Sequence, residues 1–228
     1  MRACPYTTAV ILAAGNGTRM GCEVAKQELL LLGESLLRHT LRAFEASSVD
    51  AVVVVVRADE IAFAERETEG FSKVKRIVVG GSDRKESAAR GFAAIPKEST
   101  LVAIHDAARP LITPRDIDSV LTVAASCGAA LPVSEVVDTV KAVDEDGHVR
   151  ATLNRSELRL AATPQAFFAD WYAEALGKVG EGITDDAMML EAIGKPVQTV
   201  LLKDENRKIT TPRDFAYAEY IMERRKKK

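Results

Sequence analysis

Short apolar runs rich in β-branched residues recur along the chain, at 8–13, 51–56, 74–79, 101–105, 128–133 and 197–201, with amphipathic stretches between them. Most are apolar throughout, whereas a strand wetted on one face would alternate. Continuous runs of this length predict strands covered on both faces, as in a parallel sheet. Between them, Leu36, Leu37, Leu41 and Phe44 fall on one face of a helix, and so do Ile117, Val120, Leu121 and Ala124. Pro114, followed by Arg115 and Asp116, is a helix-opening signal for the second.

Alternation of this kind implies right-handed crossovers and a Rossmann-like, doubly wound α/β fold, with a mostly parallel sheet and helices on both faces. Ligands in such folds bind beyond the carboxyl ends of the strands, so function is read from the segments directly after them. The rhythm breaks at about 134–160, where short alternating pieces flank the acidic turn Asp144-Glu145-Asp146-Gly147. This predicts a projecting β-hairpin arm. A two-stranded ribbon is marginal alone, and its simplest partner is a second copy of the chain, a homodimer. Without repeats or linkers, residues 1–228 read as one domain with an arm.

A formal net charge of −2 disfavours a nucleic-acid binder, and the basic run Arg224 to Lys228 reads as a solvated helix end. Cys4, Cys22 and Cys127 show no metal-ligand spacing and fit a reducing compartment. No apolar run approaches the roughly 20 residues that span a bilayer. The apolar N-terminal segment after Arg2 reads as a buried first strand, not a signal sequence, and the expected location is cytoplasmic.

The loop after the first strand, Ala13-Ala14-Gly15-Asn16-Gly17-Thr18-Arg19-Met20-Gly21, is the richest in chemistry. Gly15 and Gly17 allow backbone N–H groups to cradle phosphate oxygens. The loop lacks the Lys-Ser/Thr pair of a P-loop and the third glycine of a dinucleotide fingerprint. It carries instead Arg19, with Lys26 seven residues on. Two anions about 4 Å apart repel by roughly 4 kcal/mol at an effective dielectric near 20, so joining two phosphorylated molecules requires fixed cations.

This loop with Lys26-Gln27 resembles the nucleotidyltransferases. Ordered further matches narrow the resemblance: Gly80-Gly81-Ser82-Asp83-Arg84 with Ser87, His105 to Pro110, Pro132-Val133 before Asp138 to Lys141, Asn154-Arg155, Ala162 to Gln165, Ile183 to Asp186, and Asn206 to Thr210. Together they are similar to the 2-C-methyl-D-erythritol 4-phosphate cytidylyltransferase family. The resemblance implies transfer of CMP from CTP to that polyol phosphate, with pyrophosphate released and no covalent intermediate. It assigns Arg19 and Lys26 to catalysis, and Ala13, Ala14, Gly15, Gly17, Gly81, Asp83 and Ser87 to the nucleotide. Asp106, Ala107, Arg109, Thr139, Arg155, Thr163 and Lys208 are assigned to the polyol phosphate, with Thr139 and Arg155 reaching it across a dimer interface. Mg²⁺ or another divalent cation is the implied cofactor, bound through CTP phosphates, with Asp106 as a candidate ligand.

Ribitol 5-phosphate as the acceptor, a non-catalytic nucleotide-binding module and a Rossmann-type dehydrogenase are the competing readings. The missing dinucleotide fingerprint counts against the last, and the Arg19/Lys26 pair against a mere binder. His105 reads as a strand-end packing residue, and Asp185 and Asp186 as helix caps outside the site. Ala25 departs from the family, in which proline often precedes the lysine.

Overall fold

The computed structural model describes residues 5–15, 29–178, 180, 182–202 and 205–227. Strand β1 (Thr7–Leu12) is followed, after residues outside that set, by a small hairpin of β2 (Leu30–Leu31) and β3 (Glu34–Ser35) and by helix α1 (Leu36–Glu45). Then come β4 (Ala51–Val56), α2 (Ile61–Thr68), β5 (Val74–Val79), α3 (Arg84–Ala93), β6 (Leu101–Asp106), α4 (Pro114–Cys127) and β7 (Ala129–Glu135). The arm strands β8 (Lys141–Val143) and β9 (Val149–Thr152) precede β10 (Arg159–Ala161), β11 (Gln165–Phe168) and α5 (Ala169–Lys178). Helix α6 (Asp186–Ala192), β12 (Gln198–Leu201) and α7 (Pro212–Lys226) complete the order.

β1 lies parallel between β4 and β6, and β4 pairs with β5 on its far side. Chain direction reverses beyond β6, because β11 runs antiparallel to both β6 and β7. β7 also takes β10 antiparallel and β12 parallel. The sheet is therefore mixed and mostly parallel, with its switch in strand order at β1, where a ligand crevice is expected. Every residue of β4 and β6 is buried, as their continuous apolar composition requires. Two runs are exceptions: β5 is an edge strand with Lys75 and Arg76 exposed, and β12, which pairs only with β7 among the described residues, exposes Gln198, Thr199 and Leu201.

Two apolar clusters cover the two faces. Helices α1 and α4 supply Leu37, Leu41, Phe44, Ile117 and Val120 to one. The other contains Ala88, Phe167, Tyr172, Met189 and Leu190. A third, smaller cluster joins Leu31, Leu36 and Leu111 to Ile209 and Ala218, with Leu29 and Phe215 packed against it. Helix starts follow their caps: Ser35, Asp83, Thr113 and Thr211 each accept a backbone N–H at the third helical position. Close packing of α3 on β1 depends on Gly91, where a Cβ would lie 2.3 Å from Val10 Cγ1.

The expected hairpin is present. β8 and β9 pair only with each other among the described residues, around a turn at Gly147. The excursion is shorter than 134–160, because Ser134 and Glu135 prolong β7 while Leu160 pairs with Ser134 in the main sheet. Val137, Val143, Val149 and Leu153 are exposed on this excursion. No described helix is long and apolar enough to cross a membrane.

Candidate active site

Three loops leave the sheet side by side, each continuing its neighbour's ladder for one more bond. Ala13 N–H donates to the Val55 carbonyl (2.7 Å), Gly80 N–H to that of Val56 (2.8 Å) and Ala107 N–H to that of Leu12 (2.9 Å). The loop after β5 lies hard against the loop after β1. A Cβ on Gly80 would lie 2.8 Å from both Ala14 Cβ and Ser87 Oγ, so only glycine allows this approach.

The same loop is held from several sides. Gly81 N–H donates to Ser87 Oγ (3.0 Å), and Arg90 Nη1 donates to the Gly80 carbonyl (2.7 Å). Asp83 Oδ1 caps α3 by accepting the Glu86 N–H (2.7 Å), and Glu86 Oε2 in turn accepts Ser82 N–H (2.7 Å). The Ser82 backbone and hydroxyl bonds, with that of Arg90, hold the Glu86 carboxyl down at about 2. The structure thus brings Ala13, Ala14, Gly15, Gly81, Asp83 and Ser87 to one end of the sheet. Gly17, Arg19, Cys22, Ala25 and Lys26 lie outside the described residues.

Beside this crevice, a cavity of about 270 Å³ is lined by Arg84, Asp106, Arg109, Thr163, Thr184 and Lys208, among others. Its centre is Asp106, the last residue of β6. Lys208 Nζ donates to Asp106 Oδ2 at 2.7 Å and Arg84 Nε to Oδ1 at 3.3 Å, while Arg109 Nε stands 3.9 Å from Oδ2. Burial alone would raise the Asp106 carboxyl, but Arg84 and Lys208 hold it well below the usual carboxylate range. Burial lowers Arg109, whose Nε is buried with no hydrogen-bond partner. The lining carries three cations against two carboxylates, Asp106 and Asp185, an excess of positive charge that suits an anion; Asp185, expected outside the site, thus lies on its wall.

Thr163 ties the strand ends together from β11's side. Its Oγ1 accepts the Asp106 N–H (3.1 Å) and lies 3.1 Å from His105 Nδ1. With the hydroxyl donating to Nδ1, the ring proton sits on Nε2 and faces the Arg109 carbonyl at 3.4 Å. Burial pushes this imidazole down to about 3, and Phe44 packs on it with centroids 5.0 Å apart. His105 is therefore a neutral packing residue.

Asp106, Arg109, Thr163 and Lys208 come together as expected, with Ala107 buried directly behind Asp106. Thr139 and Arg155 do not join them within one chain: both are exposed on the arm side, where Arg155 Nη1 donates to the Val137 carbonyl. As for a metal, both Asp106 oxygens are already engaged by Lys208 and Arg84, so a cation could take one only by displacing a partner. The one metal-compatible group among the described residues, Asp144, Asp146 and His148, is at the arm's turn and does not line the cavity.

Sequence reasoning missed Arg84, Asp186, Gln165 and Asn206. Arg84 ends the Gly80–Arg84 motif, where the sequence gives it no role. Of the two acids read as caps, Asp185 is the N-cap, its Oδ1 accepting Met188 N–H (3.0 Å), and Asp186 is buried inside the first turn. Gln165 bridges β11 to α6, donating to Asp185 Oδ2 (2.8 Å) and accepting Ala187 N–H (2.8 Å). Asn206 donates to the Thr163 carbonyl (2.8 Å) and accepts on its own carbonyl from Arg109 Nη1 (2.9 Å), which seats the Lys208 segment.

The chain is similar to known proteins along almost its whole length. The protein-family model described as IspD, 2-C-methyl-D-erythritol 4-phosphate cytidylyltransferase, matches residues 7–224. A protein of that name from Pelotomaculum thermopropionicum is 43% identical over 224 residues, covering 95% of this chain and 94% of the relative. One from Geobacter metallireducens is also 43% identical, covering 92% and 95%. Among solved structures, the 4-diphosphocytidyl-2C-methyl-D-erythritol synthase of Anaerococcus prevotii superposes with a TM-score of 0.85 at 27% identity, over 96% of this chain and 99% of that one. The cytidylyltransferase of Thermus thermophilus does so at 0.78 and 31%, over 94% and 98%. Matched along almost its whole length, the chain belongs to the 2-C-methyl-D-erythritol 4-phosphate cytidylyltransferase family.

Proposed function

We propose that the protein transfers CMP from CTP to 2-C-methyl-D-erythritol 4-phosphate, giving 4-diphosphocytidyl-2-C-methyl-D-erythritol and pyrophosphate, in non-mevalonate isoprenoid synthesis. The observation that carries this is the full-length family match joined to a cavity where Arg84, Arg109 and Lys208 surround Asp106. CTP lies across Ala13–Gly15 and Gly17, with its base read by Gly81, Asp83 and Ser87. The acceptor phosphate enters beside Lys208 and Arg109, with Ala107 and Thr163 along its path.

An oxygen of the acceptor phosphate attacks the α-phosphorus in line. A new P–O bond forms, the bond from the α-phosphorus to the bridging β-oxygen breaks, and pyrophosphate leaves with those electrons. An ionised phosphate needs no general base. Catalysis rests on positioning and on charge, with Arg19 and Lys26 stabilising the oxygens of the crowded transition state. A divalent cation, Mg²⁺ by its preference for hard oxygens, supplies charge neutralisation of the triphosphate when bound. With its oxygens engaged by Lys208 and Arg84, Asp106 serves first as the anchor of the cations.

The arm supports a homodimer, since it exposes Val137, Val143 and Val149 while carrying Thr139 and Arg155. In that dimer each arm brings Thr139 and Arg155 to its partner's acceptor pocket. We place residues 1–228 in one nucleotidyltransferase domain, working in the cytoplasm on small molecules, with neither nucleic acid nor membrane as partner. Pyrophosphate release from CTP, measured with methylerythritol 4-phosphate and with ribitol 5-phosphate, tests the reading. Release with the first alone is expected; release with ribitol 5-phosphate alone would overturn it.

A further inference from the structure

The apolar cluster under α3 and α5 contains one polar pair that packing does not explain. Asp186 and Tyr172 are fully buried. Phe167 stacks on the tyrosine ring with centroids 5.4 Å apart, and Phe92 meets it edge-on at 5.1 Å. A first-turn position in α6 accounts for an acid at 186, but not for one sunk among Phe and Met side chains with a phenol as neighbour. Burying a carboxylate and a hydroxyl here opposes folding unless both are bonded, and apolar residues of similar volume would serve the core better.

Oδ1 of Asp186 is hydrogen-bonded to the tyrosine, while Oδ2, without a hydrogen bond, is held by an ion pair that leads out to the cavity. Tyr172 Oη donates to Asp186 Oδ1 (2.7 Å), Arg84 Nη1 stands 2.7 Å from Asp186 Oδ2, and Arg84 Nε reaches Asp106 Oδ1. Burial pushes the Tyr172 hydroxyl well above its ordinary value, with the Asp186 charge adding to the effect, so it stays a donor. Burial opposes the Arg84 charge, but Asp186 and Asp106 together hold it firmly protonated.

A guanidinium is planar with its donors in a rigid fork, so holding two of its nitrogens fixes the plane of the whole group. Asp186 pairs with Nη1 while Nε faces Asp106, so the guanidinium bridges the two carboxylates. Asp106 then keeps Oδ2 for Lys208, and Arg84 remains part of the cavity wall.

We infer that Asp186, fixed by Tyr172, is a positioning residue for the acceptor substrate: it acts through Arg84, setting the cationic wall that receives the polyol phosphate. The inference rests on reading this cavity as the acceptor pocket. It is tested by steady-state kinetics on the full-length protein, with pyrophosphate release as the signal and each substrate varied in turn. Asp186→Asn is expected to raise KM for methylerythritol 4-phosphate about tenfold while KM for CTP moves less than about twofold. Tyr172→Phe, which keeps the ring packing, is expected to give a smaller rise of about threefold in the same parameter.

The decisive comparison is the double variant: if Asp186 acts through Arg84, adding Asp186→Asn to Arg84→Ala changes KM by less than about twofold. An equal effect in both backgrounds, or a parallel rise in KM for CTP, would overturn the inference. So would a variant that melts at lower temperature with unchanged KM. If Asp186→Asn does not fold, Tyr172→Phe alone and combined with Arg84→Ala gives the same comparison. A wild type releasing no pyrophosphate would overturn the activity and this inference together; an active wild type insensitive to Asp186→Asn would overturn the inference alone.

Discussion

Lys208 reaches Asp106 across 102 residues of sequence, closing a 2.7 Å charge-assisted contact at the carboxyl end of β6. Because Asp106 also faces Arg84 and Arg109, its charge holds three cations in one small space. Asp106→Asn leaves them repelling one another with one carboxylate fewer. The expected result is a destabilisation of about 3 kcal/mol, the scale for removing one member of a buried pair. Chemical denaturation checks it. Lys208→Ala, which leaves Asp106 paired with Arg84, is expected to unfold close to wild type while losing use of the polyol phosphate.

Gly80→Ala tests the contact between the first two loops. The added Cβ would meet Ala14 Cβ and Ser87 Oγ at 2.8 Å and force the loops apart. Overpacking of this kind opposes folding by about 1–3 kcal/mol. If these loops hold the nucleotide, CTP affinity by calorimetry falls in the variant while the polyol phosphate KM stays near wild type.

Mixed dimers of two variants test the arm. Lys26→Ala is expected to lower turnover by about two to three orders of magnitude, the scale for one preorganised donor at a transition state. Arg155→Ala is expected to raise the polyol phosphate KM more than that of CTP. If Arg155 serves the partner's site, each mixed dimer of the two variants carries one intact site. An equal mixture then recovers about a quarter of wild-type activity. Recovery no greater than the sum of the separate variants, or sedimentation as monomers at micromolar concentration, would refute the shared site.

Acid stability follows from His105. Its folded pKa is depressed to about 3 by burial, so below the unfolded value of about 6.5 the unfolded chain takes a proton that the folded one refuses. Stability is lost as pH falls through that window, by about 1.4 kcal/mol per unit. Asp106, also depressed, adds loss only below about pH 4, whereas burial raises Asp186 and works in the opposite sense. The difference between wild type and His105→Gln isolates the imidazole: the variant is expected to show a flatter stability profile between pH 6.5 and 4 in urea titrations.

The strands most legible in the sequence are continuous apolar runs, and the arm shows through its alternation about an acidic turn. β4 and β6 are such runs. β11 escaped notice because Gln165–Phe168 is short and polar at its start, yet it lies between β6 and β7. Its direction matters for the site. An antiparallel strand presents its beginning where parallel ones present their ends, so Thr163 reaches Asp106 from before a strand. Arg84 gave no local signal either: an arginine opening a helix after an Asp cap is ordinary until Asp186 is found behind it. Lys208 was placed by family likeness alone, since no local pattern tells that a lysine will cross to β6.

The small third cluster has a bearing on heat tolerance. Leu29 and Leu31 follow the segment that carries Arg19 and Lys26, while Ile209 adjoins Lys208, and all three share one apolar footing with Leu111. A cavity opened at Leu111 would loosen the footing shared by Leu29, Leu31 and Ile209, sequence neighbours of the residues proposed to hold donor and acceptor. Temperature-sensitive variants with an intact sheet belong there.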